Sequence, residues 1–294
     1  MKKFILLLLL FVLLFLNSCS VNTNKEVIEN KSYIMDEFTF YDNIIINIDT
    51  EKIKDGKLFI PKYINNCEVY GIGDGFVPII TTLYDLLIID GKKGIETIFF
   101  NEYMTFLNPP SIIKKNDNYY RYVVEDVKNI YLVCNNFTHC EVTDIYAFTN
   151  FLKYKNAENI YISKEYFDLW LNNGDYIISD NEFYNIYYND DYTINIYSKN
   201  SEKDEQLVVK AANISYMYNY DNSPNNDYYF IFNSENGKVI EPKYSPVREG
   251  YEFLGWYKEK ECINEWIFDE DYFFEKEGEN YEEYKLFAKW RKYE

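Results

Sequence analysis

His139 is the chain's one histidine, and Cys140 beside it invites two kinds of chemistry. A zinc site takes four ligands at recognisable spacings such as C-x-x-C, and neither that pair nor Cys67, Cys134 and Cys262 supplies one. A nucleophile–histidine–carboxylate relay would need the same imidazole, and no G-x-S-x-G, H-E-x-x-H or phosphate-binding loop accompanies it. Paired carboxylates can hydrolyse glycosidic bonds without any histidine. With 48 Asp and Glu residues along the chain, two will fall close together by chance, so abundance marks no site. The sequence names no catalytic residue, no metal ligand and no cofactor.

One thiol stands in a different context. Lys2 and Lys3 precede an unbroken apolar run from Phe4 to Leu16. That run is shorter than the ~20 residues a helix needs to cross hydrocarbon. It fits the apolar part of a secretory leader behind a charged start. The run ends in Leu16-Asn17-Ser18-Cys19, which resembles the lipobox of bacterial lipoproteins. The resemblance implies a signal peptide over residues 1–18, cleavage before Cys19, and a lipid on that cysteine. Residues 19–31 are polar and read as a flexible tether from the membrane to the folded part. Export would permit disulfides among Cys67, Cys134, Cys140 and Cys262, with Cys134 and Cys140 able to close a short loop. All four can equally be reduced, buried small hydrophobes.

A formal charge of −18 excludes nucleic acid as a partner, because nothing would neutralise its phosphates. The carboxylates are spread along the whole chain, which points to a generally acidic exterior. Aromatic residues make up 20% of the chain, and 32 of them are Tyr. Tyr suits strands with one wet face and surfaces that bind through rigid amphipathic rings, although AT-rich coding accounts for much of this composition.

The elements that must position any site are mostly strands. From residue 32 to 220, β-prone runs alternate with polar turns: Asn43–Ile48, Leu58–Ile60, Thr97–Phe100, Asn129–Leu132 and Asn159–Ile162. Three of them open with Asn or Thr before Ile and an aromatic, recurring at roughly thirty-residue intervals. In Gly56–Phe76, Leu58 and Ile60 are expected to face the core and Pro61 to end the strand. Gly71 and Gly73 would allow a tight corner, and Phe76 would plug the next layer. This stretch resembles the BspA-type leucine-rich repeat, and Val142–Phe148 is a fainter echo. A helix is expected over Tyr166–Leu171 with Ser163 as its N-cap, then a hairpin over Tyr184–Tyr197. A strand pattern resumes from Leu207 to Tyr220.

A turn-rich seam, Asp221–Asp227, marks off a C-terminal module over residues 221–294. Leu286, Ala288 and Trp290 alternate with Lys285 and Lys289, the pattern of a strand with one buried face. Gly250 and Gly255 flank an apolar strand, where glycine lets a backbone or bulky neighbour pass closely. So short a module needs large rings in its core, and Tyr251, Phe253, Trp256, Trp266 and Trp290 are assigned there. Those residues, with Gly250, Gly255 and Tyr257, are read as a structural motif. Pro246–Tyr257, together with Tyr229–Phe232, Gly237–Pro242, Trp266–Asp269 and Tyr284–Trp290, resembles the Listeria–Bacteroides repeat, the B-repeat of internalin-like surface proteins. The resemblance implies a small β-grasp-like domain of bacterial surface proteins that engage hosts or wall polymers. Glu275–Glu283 reads as an acidic, solvated loop.

The expected architecture is β-rich α+β, an irregular leucine-rich-repeat-like domain followed by the B-repeat-like module. The expected function is lipid-anchored binding or adhesion at the cell surface, without catalysis, toward an extracellular protein or envelope polymer. An enzyme using a middle-domain carboxylate pair on surface polymers is one alternative, and a structural envelope lipoprotein is another. The sequence names no ligand contact. Exposed Tyr in the middle domain is the first place to look.

Overall fold

The β-branched and aromatic runs form strands that are each too short to stand alone, and pairing joins them into sheets. The computed structural model describes residues 33–41, 44–64, 67–69, 71–72, 94–101, 113–115, 118–120, 127–133, 158–172, 184–189, 191–198, 206–274 and 282–294. The leader, Cys19 and the tether lie outside the described residues, as do Gly73, Phe76, Cys134, His139, Cys140 and the Val142–Phe148 echo.

The first strands are β1 (Tyr33–Met35), β2 (Phe38–Tyr41), β3 (Ile44–Ile48), β4 (Lys57–Phe59), β5 (Tyr63–Ile64), β6 (Cys67–Glu68) and β7 (Gly71–Ile72). Next come β8 (Thr97–Phe100), β9 (Ile113–Lys115), β10 (Asn118–Tyr120), β11 (Asn129–Leu132) and β12 (Asn159–Ile162). Helix α1 (Lys164–Asn172) precedes β13 (Tyr184–Asn189), β14 (Thr193–Ser198) and β15 (Gln206–Ala211). The chain finishes with β16 (Ile214–Met217), β17 (Tyr228–Phe232), β18 (Tyr251–Tyr257) and β19 (Tyr284–Lys292).

The central sheet has the order β13-β14-β15-β12-β11-β8-β4. From β4 to β15 its neighbours run parallel and in register, so Leu58, Ile98, Ile130, Ile160 and Val209 lie side by side. Phe59, Phe99, Tyr131 and Tyr161 form the adjacent row. The recurring Asn/Thr-Ile-aromatic runs are therefore neighbouring strands of one stack. Asn159 Nδ2 donates to Asn129 Oδ1 at 3.0 Å at the head of two of them.

Side chains alternate across a strand, so the two rows face opposite ways. The aliphatic row packs with Phe38, Phe40, Ile45 and Ile48 from β2 and β3, and with Tyr166 and Phe167 of α1. Ser163 Oγ accepts the Tyr166 N–H at 3.3 Å and starts that helix where the sequence places it. The aromatic row stacks with centroid separations of 4.6, 4.5 and 4.5 Å. That step is close to the strand spacing of about 4.8 Å, so repetition alone brings the rings together.

A second sheet, in the order β17-β16-β19-β18, lies on the aromatic row. Phe230 of β17 comes within 5.1 Å of Phe99, and Phe232 within 6.0 Å of Tyr131, centroid to centroid. The strand pattern over 207–220 divides between the sheets. Ala212 N–H still donates to Ile162 O at 2.8 Å in the central sheet, while Asn213 exchanges side-chain bonds with Ser234 in the C-terminal one. The C-terminal sheet thus begins at Ile214, upstream of the 221–227 seam, which is a turn between β16 and β17. Residues 32–294 form one compact unit.

Candidate functional site

The motif residues of the C-terminal sheet sort into core, backbone and rim. Trp256, Tyr257 and Trp266 are buried. Trp256 meets Tyr216 edge-on at 5.0 Å and Phe253 at 5.2 Å. Trp290 is half-buried and donates its indole N–H to Tyr218 O at 2.6 Å. The Trp266 indole N–H meets no acceptor among the described residues. Tyr251 is a rim residue, with the Arg248 guanidinium 3.6 Å above its ring, a cation–π pair.

The two motif glycines differ, and only Gly255 has the close neighbour expected of both. A Cβ on Gly250 would meet nothing within 4 Å, so this glycine serves the turn into β18 through its φ of +75°. Gly255 lies inside β18, at a register shift opposite β19, with a φ of +133°, and a Cβ there would meet Glu265 Oε1 at 3.3 Å. Close passage of a backbone occurs at Gly237, where a Cβ would strike the backbone of Phe274.

Cys262 is a free thiol, and burial pushes its pKa up against the pull of Lys289. Among the described residues no three His, Cys, Asp or Glu side chains gather where they could hold a metal. Among the same residues no helix is long and apolar enough to cross a membrane.

Among the described residues, two carboxylates act on one another where α1 meets the C-terminal sheet. Glu283 Oε1 accepts from Ser215 Oγ at 2.8 Å and Tyr228 OH at 2.9 Å, and Lys285 lies 3.3 Å from Oε2. This residue is a fastener of β16, β17 and β19, not part of a solvated loop. Glu165, in the first turn of α1, accepts from Asn226 Nδ2 at 3.2 Å. Burial raises its pKa, Lys285 opposes that, and Glu283 adds to it. Burial and the Glu283 charge hold the Tyr228 phenol far above its ordinary range. A second fastener joins buried Glu37 to Lys243 at 2.7 Å. Lys62 is also buried and bonded to the Tyr218 hydroxyl. The cavity beside it is about 40 Å³, lined by Phe59, Phe99, Asn101, Tyr229 and Lys243. It has room for water but not for a drug-sized ligand.

Beyond Tyr161 the same sheet face continues. The register leads from Tyr161 to Lys210 and Thr193, and from Asn159 to Val208, Asn195 and Tyr187. Ile194 and Ile196 are buried on the opposite face, where Tyr188 approaches Phe167 at 6.2 Å. Tyr187 is 56% exposed. Tyr197 stands edge-on to it at 5.7 Å and 68°, so the two rings make an open corner. The aromatics of β11 and β12, by contrast, are buried under β17. Sequence alternation singles out Tyr187 and Tyr197, opposite Ile194 and Ile196, but cannot say which part of the face is covered.

Residues 213–278 match the family model of the Listeria-Bacteroides repeat domain. That family is typical of bacterial surface or exported proteins. The match begins at Asn213, where the chain crosses between sheets, and stops before β19. No curated protein matches the chain. The molecule is a β-rich protein whose C-terminal sheet is similar to this repeat domain.

Proposed function

We propose that the chain is a bacterial lipoprotein, held by a lipid on Cys19, that binds an extracellular protein or envelope polymer at the cell surface without catalysis. Its middle region would be a degenerate leucine-rich-repeat stack of the BspA type. The in-register parallel strands support that reading. Its C-terminal part would be a β-grasp-like B-repeat used as a cap on the stack. One observation carries the binding role: the cap covers the outer face of the central sheet over β11 and β12, and beyond it Tyr187 is exposed. An exposed ring beside a second one is surface that a partner would bury with gain.

Detergent-extracted full chain, presented to host-matrix and bacterial-envelope fractions, should be retained by at least one of them. Retention by none overturns the binding role. Intact-mass measurement of the same material should show an acyl chain and loss of residues 1–18. A chain with that leader intact and no lipid overturns the anchor.

A further inference from the structure

Beyond Tyr161 the outer face, on which Tyr187 is exposed and Thr193 buried, differs from the rest of the molecule in its charge. Of Tyr187, Asn189, Asn195, Tyr197, Val208 and Lys210, only Lys210 is ionised, on a chain that is 27% charged and carries −18 overall. The face is also continuous with an interface the protein already uses, since Lys210 and Val208 pair directly with Tyr161 and Asn159 beneath the cap. Resting on the surface-binding reading above, we propose that this part of the face binds a neutral polysaccharide.

The chemistry of the corner selects that class. A sugar ring carries weakly positive C–H bonds on one side, and these meet the negative face of an aromatic ring. Tyr187 supplies an accessible ring, and Tyr197, at 68° to it, supplies a wall for the next unit. An amide side chain offers donor and acceptor together, which matches vicinal hydroxyls, and exposed Asn189 flanks the corner on the same face. An anionic polymer would meet a repelling field from the whole chain. A cationic one would find no carboxylate among these six residues.

The test uses detergent-solubilised full chain and beads carrying mannan, laminarin or dextran, with polygalacturonate and heparin beads beside them. Retention is expected on at least one neutral bead and on neither anionic one. Tyr187→Ala and Tyr197→Ala should each weaken it tenfold or more, while Tyr187→Trp keeps it. Tyr187 is exposed, so its replacement leaves the fold intact. Tyr272→Ala, which removes a ring 48% exposed on the C-terminal part, should leave retention unchanged. No retention on any neutral bead, or equal retention of Tyr187→Ala, overturns the proposal. A chain caught by matrix or envelope fractions but by no neutral bead overturns the polysaccharide alone. A chain caught by neither overturns the surface-binding reading as well.

Discussion

Tyr131 in the central sheet and Trp256 in the C-terminal one are both buried, and they reach that state by different means. Tyr131 belongs to a row in which each ring lies flat on the ring one strand away, at 17° to Phe99 and 14° to Tyr161. Any repeat that keeps its register produces such a row. Trp256 belongs to an interlock in which Tyr216 meets it at 81° and Phe230 meets Tyr216 at 71°. An interlock works only with particular rings at particular positions. Repetition tolerates drift, whereas interlocking fixes a motif. The two arrangements join at Phe230, which touches Phe99 on one side and Tyr216 on the other.

That joint makes the largest prediction. Phe99→Ala removes a buried ring from the row together with its contact to Phe230, and should cost about 3–5 kcal/mol, as should Trp256→Ala from the interlock. Urea unfolding followed by far-ultraviolet circular dichroism and by Trp fluorescence should give one coincident transition in each variant. Separate transitions would mean that the C-terminal sheet is an independent bead, and the comparison above would fail.

The same contrast explains what the sequence reveals. The interlock is legible because its residues carry the motif from Tyr229 to Trp290, and strands form at both ends of it. The aliphatic and aromatic rows are legible only as loose recurrences, since Thr97, Asn129 and Asn159 open strands separated by long, dissimilar connections. Pairing across such connections is a non-local property that no window of sequence contains. Local spacing likewise places Gly250 and Gly255 near a strand but cannot say what passes them. The backbone of Phe274 returns past Gly237, far from either.

Gly237→Ala sharpens that last point. A methyl there meets the Phe274 backbone at a φ of +78°. Strain plus displaced backbone should cost roughly 3 kcal/mol. Gly250→Ala, with open space and a similar φ, should cost about 1 kcal/mol. Equal costs, read from urea midpoints, would place the close approach elsewhere. Between these in size lies Lys243→Ala, which strands the buried Glu37 carboxylate. Because Lys243 is itself about one-third exposed, the cost should be about 2 kcal/mol, below that of a fully buried pair. Glu37→Gln with Lys243→Met should recover most of it, since no buried charge then remains.

The smallest effect tests whether α1 is fastened to the C-terminal sheet through Glu165. Its carboxyl faces Lys285, Glu283, Asp168 and Asn226, and burial is the largest influence, holding its folded pKa above the ordinary value. The native chain therefore keeps this proton to a higher pH than the unfolded chain does. Stability from this group is fullest below the unfolded pKa and falls as pH rises through the folded one. Glu165→Gln keeps an oxygen for Asn226 and abolishes the ionisation. Its midpoint should equal the parent's at the acid end and exceed it at neutral pH by on the order of a few tenths of a kcal/mol after screening. The reverse slope, with the parent gaining on the variant as pH rises, would mean that Lys285 outweighs burial and that the contact is an ordinary surface ion pair.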